Sequence, residues 1–148
     1  MYKLSEDNIK EFLLGGYANF VLKNITNNHH IEYTIKIKEE TRKLNRTLYF
    51  VSYKSTEWQY IGILVREKVL SNGQEKEEIN FHFKTDISVD HYLQAKTFKG
   101  LIEFIYHKDK LPNNVEILYT GQCSICNRKL TDPKYINIGI GPTCLKNN

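Results

Sequence analysis

Three cysteines carry the most legible chemistry in this chain. Cys123 and Cys126 are separated by two residues, and Cys144 follows after a segment that contains Gly139 and Gly141. A Cys-x-x-Cys pair turns two thiolates toward one ion while backbone N–H groups of the tight turn approach the sulfurs. Glycines at 139 and 141 allow a close return of the chain, so Cys144 can supply a third ligand. Thiolates in this setting favour zinc. A dithiol redox pair is the competing chemistry, but such pairs sit at a helix start after a strand of a βαβ unit, and no such unit is visible. An odd number of cysteines gathered at one end speaks against a disulfide framework and for a reducing compartment, with cytoplasm the default.

Structural zinc is almost always four-coordinate. The chain has three cysteines and five histidines, none of them beyond His107. Candidates for a fourth ligand are Asp132 within the cysteine segment, His107, or a histidine from elsewhere in the fold. The same segment holds Arg128, Lys129, Lys134 and Lys146 against Asp132, with Tyr119 and Tyr135 nearby. Such a set can hold a phosphate backbone and stack bases. The plainer reading is a metal knuckle closing the core, with solvated lysines. A net charge of +4 leans the whole chain toward anionic partners.

The string Cys123-x-x-Cys126-x-Arg128-x-Leu130-Thr131-x-Pro133, followed by Gly139-Ile140-Gly141-Pro142-x-Cys144, resembles the C-terminal zinc knuckle of a phage and prophage protein family of unknown function. A similar knuckle occurs in some phage helicase-like proteins. Upstream, Gly16 to Leu22 followed by Tyr33 to Ile37 is similar to the family's first hairpin, and Tyr60-Ile61-Gly62 to one of its strands. Ala95 to Phe104 stands where the family has an aromatic-rich helix. Two positions depart: Tyr119 stands where a histidine is frequent, four residues before the first cysteine, and Tyr135 where serine is usual. The resemblance implies a viral accessory protein, working in a bacterial host cytoplasm, that binds nucleic acid or disables a host protein.

No nucleophile elbow, P-loop, GxGxxG or His-Glu-x-x-His pattern is present, and the His-x-Glu of zinc deaminases is missing, so no enzyme is expected. No apolar run approaches the roughly 18 residues of a membrane span. Met1 to Asp7 has no apolar core of a secretory signal.

The elements that must position these residues follow from periodicity. Ser5 is placed to cap a helix through Ile9, Phe12 and Leu13 that Gly15-Gly16 ends. Ala18–Leu22 and Ile31–Lys38 form a first hairpin, with Ile31, Tyr33, Ile35 and Ile37 on one face. Residues 39–46 read as a charged connection. Leu48–Tyr53 and Trp58–Val65 form a second hairpin with both faces apolar: Tyr49, Val51 and Tyr53 oppose Leu48 and Phe50, and Trp58 and Tyr60 are split from Ile61 and Ile63. A sheet apolar on both faces is covered twice or offers one face to a partner. After a turn at Ser71–Gln74 and a charged Glu75–Glu78, Ile79–Phe83 is a further strand. Asp90–His107 is a helix striped by Tyr92, Ala95, Phe98, Leu101, Ile102, Ile105 and Tyr106, and Val115–Tyr119 is a short strand.

The expected architecture is α+β: an antiparallel sheet with two packed helices in residues 1–118, and a small zinc knuckle, residues 119–148, packed on it. The leading expectation for function is nucleic-acid or nucleoprotein binding through Arg128, Lys129 and Lys134. The alternative is a protein-binding inhibitor of host defence, such as an anti-CRISPR or other anti-defence protein. It would be anchored by Tyr49, Tyr53, Trp58 and Tyr60, since Tyr and Trp are frequent hot-spot residues. The plainer reading places Trp58 in the core.

Overall fold

Alternating apolar and polar residues commit most of the chain from Tyr17 to Phe83 to strand. In the computed structural model, which describes residues 1–41 and 45–147, these segments form one antiparallel sheet of seven strands. They are β1 (Tyr2–Lys3), β2 (Tyr17–Asn24), β3 (His30–Thr41), β4 (Arg46–Lys54), β5 (Trp58–Ser71), β6 (Gln74–Phe83) and β7 (Val115–Tyr119). The spatial order is β1-β7-β2-β3-β4-β5-β6, so the late strand β7 lies between β1 and β2. The helices are α1 (Ile9–Leu13), α2 (Val89–His107), α3 (Pro133–Ile138) and α4 (Pro142–Lys146). The chain is α+β, and no described helix is long and apolar enough to cross a membrane.

One face of the sheet is covered. Phe20, Tyr33, Ile35, Tyr49, Val51, Ile61, Leu64 and Phe81 pack there against Ala95, Phe98, Leu101, Ile102 and Ile105 of α2. Phe98 is central: its ring centroid lies 5.3 Å from Tyr33 and 4.9 Å from Phe81, edge-on to the latter. Ser88 caps α2, its Oγ accepting from the Asp90 N–H at 3.3 Å. Tyr92, expected in the buried stripe, lies exposed at the first turn beside Phe83.

Several expected boundaries shift, each for a local reason. Ser5 makes no side-chain cap; a 3₁₀ turn (Glu6–Asn8) precedes α1, and the Ser5 N–H donates to the Asn137 carbonyl at 2.9 Å. The strand expected over Ile79–Phe83 starts earlier, and the charged Glu75–Glu78 belongs to it. The Asn72-Gly73 turn, both residues at positive φ, closes a two-residue hairpin that pairs Ser71 with Gln74. Arg66–Glu77 (3.0 Å) and Lys68–Glu75 (3.8 Å) then face each other across it. Of the expected connection 39–46, the backbone up to Thr41 belongs to β3 and Arg46 opens β4; residues 42–44 lie outside the described residues.

The split of Trp58 and Tyr60 from both isoleucines is corrected by a β-bulge. Val51 pairs with Gly62 and Ser52 with Tyr60, which leaves Ile61 as the extra residue. Ile61 turns into the core, fully buried, while Ile63 pairs with Phe50 on the uncovered face, beside Trp58 and Tyr60. Gly62 makes room for the Phe81 ring. A Cβ at 62 would stand 2.3 Å from the His82 carbonyl oxygen and 2.6 Å from Phe81 Cζ.

These contacts give one substitution opposite signs at two sites. Gly62→Ala should destabilise the fold by about 2 kcal/mol through overpacking. Gly100→Ala, in α2 with open space around its Cβ, should stabilise by about 0.5–1 kcal/mol through helix propensity. Urea unfolding midpoints of the two variants would check both.

Candidate metal centre

A small hairpin grows out of β7 and carries the first two cysteines. The Gly121 carbonyl accepts from the Leu130 N–H at 2.8 Å, Gln122 bridges to Lys129, and the Cys123 N–H donates to the Arg128 carbonyl at 2.8 Å. The tip closes where the Asn127 N–H donates to the Cys123 carbonyl at 2.9 Å, with Asn127 in the left-handed region (φ 64°). Asparagine tolerates that region better than most side chains. The chain then enters α3, capped by Asp132 and started by Pro133. Gly139 (φ 79°) ends α3; a Cβ there would meet the Phe12 ring at 2.4 Å and Leu4 at 2.8 Å. Gly141 leads into α4, which brings Cys144 back.

The three sulfurs converge: all Sγ atoms lie within 4.8 Å of one another. Cys123 is buried, Cys144 half-buried and Cys126 exposed. Burial opposes ionisation of Cys123, but the backbone N–H groups of Cys126, Gly141 and Ile125 and the Cys126 side chain outweigh it and hold that thiol below its ordinary range. The Gly141 N–H lies 3.4 Å from Cys123 Sγ. Burial and the two neighbouring thiols push Cys144 up to about 12. Three crowded thiols that repel as anions, one already stabilised by N–H donors, could hold a metal ion, whose charge would remove the repulsion.

The platform beneath them belongs to the main core. Leu130 and Ile140 share one buried cluster with Leu4 and Phe12. The Tyr119 hydroxyl donates to the Ile136 carbonyl. Ser124 ties the knuckle to the start of β2: its N–H donates to Gly139 (3.0 Å) and its carbonyl accepts from Tyr17 (2.7 Å). A Cβ at Gly15 would stand 2.3 Å from Ser124 Oγ, so the glycine lets the two segments touch.

Neither named candidate for a fourth ligand joins the cluster. The Asp132 carboxylate accepts from the Lys134 N–H at 2.9 Å as the cap of α3. His107 is exposed at the end of α2, in the wall of a cleft of about 1040 Å³ with Lys10, Arg66 and Glu77. Among the described residues the cluster consists of the three cysteines.

Arg128, Lys129 and Lys134 are all exposed around the knuckle, and Lys134 Nζ lies 5.5 Å from the centre of the Tyr135 ring. Trp58 and Tyr60 lie elsewhere, on the uncovered face of the sheet; Trp58 is 41% exposed, not in the core. Tyr49 and Tyr53 are no surface anchors: both are buried on the covered face. Phe50, 40% exposed, takes their place beside Tyr60. Strict alternation from Tyr49, Val51 and Tyr53 signals that position. The Cys-x-x-Cys turn signals the Ile125 and Cys126 N–H groups at Cys123, whereas the Gly141 N–H, 18 residues on, comes from the return of the chain.

Residues 116–148 match the model of a family of unknown function, DUF6011. No curated protein and no solved structure matches the chain.

Cys144 keeps its proton at neutral pH in the metal-free protein, so metal binding must displace it. Lowering the pH should therefore weaken binding by about tenfold per unit for each proton displaced. A Cd²⁺ titration followed by thiolate charge-transfer absorbance at several pH values should show this trend and saturate at one ion per chain. Cys126→Ser should remove the saturable signal.

Proposed function

We propose that the protein is a non-enzymatic, zinc-stabilised accessory protein of phage or prophage kind, which binds nucleic acid or a nucleoprotein complex. Zinc fits the donor set: three thiolates within 4.8 Å, with N–H groups pointed at the most buried sulfur. The metal would be held by Cys123, Cys126 and Cys144, and its work there would be structural. The site closes a segment whose apolar residues share the main core, and among the described residues the cluster consists of cysteines alone.

The observation that carries the binding reading is the display of cations on this segment. Arg128 and Lys129 sit on the hairpin that the cysteines fasten, and Lys134 sits in the first turn of α3 over Tyr135. A loop fastened at both ends loses little conformational entropy when its side chains meet phosphates. A phosphodiester strand supplies the repeating negative charge such a patch matches, with affinity weak and tolerant of sequence.

Protein purified without chelator should contain near-stoichiometric zinc by elemental analysis, and Cys126→Ser should lower its melting temperature. Three phosphate contacts, each contributing about −0.7, predict a log–log salt slope of roughly −2 for single-stranded oligonucleotides. Lys129→Glu with Lys134→Glu should abolish that salt-sensitive component without unfolding the chain. Unchanged affinity at low salt in the double variant would refute the patch.

A further inference from the structure

The sheet has a second face that no described helix covers, and its composition is unusual for a solvated surface. Strand register places Lys36, Phe50 and Ile63 in one row across β3, β4 and β5, and Ser52 and Tyr60 in the next. Lys54 and Trp58 follow at the hairpin end. Phe50 and Trp58 are 40% and 41% exposed, and Tyr17 of β2, paired with Lys36, is 48% exposed. Phe50 and Tyr60 stand edge to face with centroids 5.6 Å apart.

Each of the two exposed rings of the hairpin carries its own cation. Lys38, the extra residue of the bulge between Ile37 and Glu39, reaches over Phe50 with Nζ 5.4 Å from the ring centre. Lys54 reaches over Trp58 at 5.9 Å. Lys36 is exposed beside them, and Glu32 lies on the same face of β3. We propose that this uncovered face binds single-stranded nucleic acid, with bases stacked on Phe50, Trp58 and Tyr60 and phosphates held by Lys36, Lys38 and Lys54.

The proposal rests on the nucleic-acid reading above but uses different residues on a different surface. Charge complementarity selects the occupant. The apolar centre of a protein–protein interface is depleted in lysine, whereas here lysines lie on the rings themselves. A strand of unpaired nucleotides offers what the surface lacks on both counts: a π-face for each ring and an anion for each ammonium. A duplex keeps its bases stacked on one another and could use only the lysines.

Trp58 is the only tryptophan in the chain, so its emission reports on this face alone. The full-length protein is titrated with a short oligothymidylate and with an abasic phosphodiester of the same length. Saturable quenching by the oligothymidylate, and markedly less by the abasic strand, is expected. Affinity is read in parallel by anisotropy of the labelled oligothymidylate. Trp58→Ala and Phe50→Ala should each weaken it about tenfold, within the range of one base stack. Lys54→Glu, an exposed charge reversal that leaves the rings intact, should weaken it too, with unchanged melting temperature. Quenching should persist in the Lys129→Glu, Lys134→Glu protein.

Oligothymidylate binding with unchanged Trp58 emission and full affinity in Trp58→Ala would overturn this surface and leave the knuckle reading standing. Equal quenching by the abasic strand would overturn base stacking. No oligonucleotide binding at low salt would overturn both readings, and a host protein held through Trp58 without any response to oligonucleotide would make the face a protein-docking surface instead.

Discussion

A phenol can be buried only if its hydroxyl finds an acceptor, and this requirement sets how every layer of the molecule docks. Tyr33 donates to the Gln94 carbonyl at 2.7 Å, and the Tyr53 hydroxyl meets His91 Nδ1 at 2.5 Å, so two strands grip the first half of α2. Tyr49 donates to Leu14 at the end of α1 at 2.9 Å, Tyr106 of α2 donates to Lys10 of α1 at 2.8 Å, and Tyr119 of β7 donates to Ile136 of α3. Apolar burial supplies the driving force but has little directionality. The hydroxyls supply the direction: each joins one secondary-structure element to another at a single register.

The cysteine segment inherits its position from this network. Tyr119 holds α3, α3 ends at Gly139, and Gly139 accepts from Ser124 between the two knuckle cysteines. Phe12, edge-on to Tyr119 with centroids 5.2 Å apart, supports the same corner from α1. The sulfurs therefore converge on a scaffold that packing has already ordered, and a metal ion would bind with less of the ordering cost that small zinc modules meet when they fold around their ion.

Much of this was legible in the residues themselves. Alternation located the two hairpins, the helical stripe from Ala95 to Ile105 located α2, and the Cys-x-x-Cys spacing located the sulfur cluster. What escaped depends on contacts between segments far apart in sequence. A single extra residue at Ile61 reverses the facing of everything beyond it, and the room for it is Gly62 beneath Phe81, a tertiary fact. Charge masks alternation from Glu75 to Glu78, so pattern alone starts the strand at Ile79; on an exposed edge strand, charge is compatible with pairing, and cross-strand partners on β5 meet it. Tyr49 and Tyr53 looked like surface anchors because tyrosine is a frequent hot-spot residue, but their hydroxyl partners are Leu14 and His91, which local pattern does not connect to them.

The place of β7 bears on the order in which the molecule can assemble. β2 is flanked by β3, its neighbour in sequence, and by β7, which is synthesised some ninety residues later, between Val115 and Tyr119. Among the described strands β1 pairs with β7 alone. During synthesis the hairpins from β2 to β6 can close by local turns, but one flank of β2 keeps free N–H and C=O groups until β7 has been made. Such an open flank is a template for pairing with another nascent chain. Docking of β7 is thus a non-local step that should be slow relative to hairpin closure, and the cysteine corner, built on that strand, forms only after it.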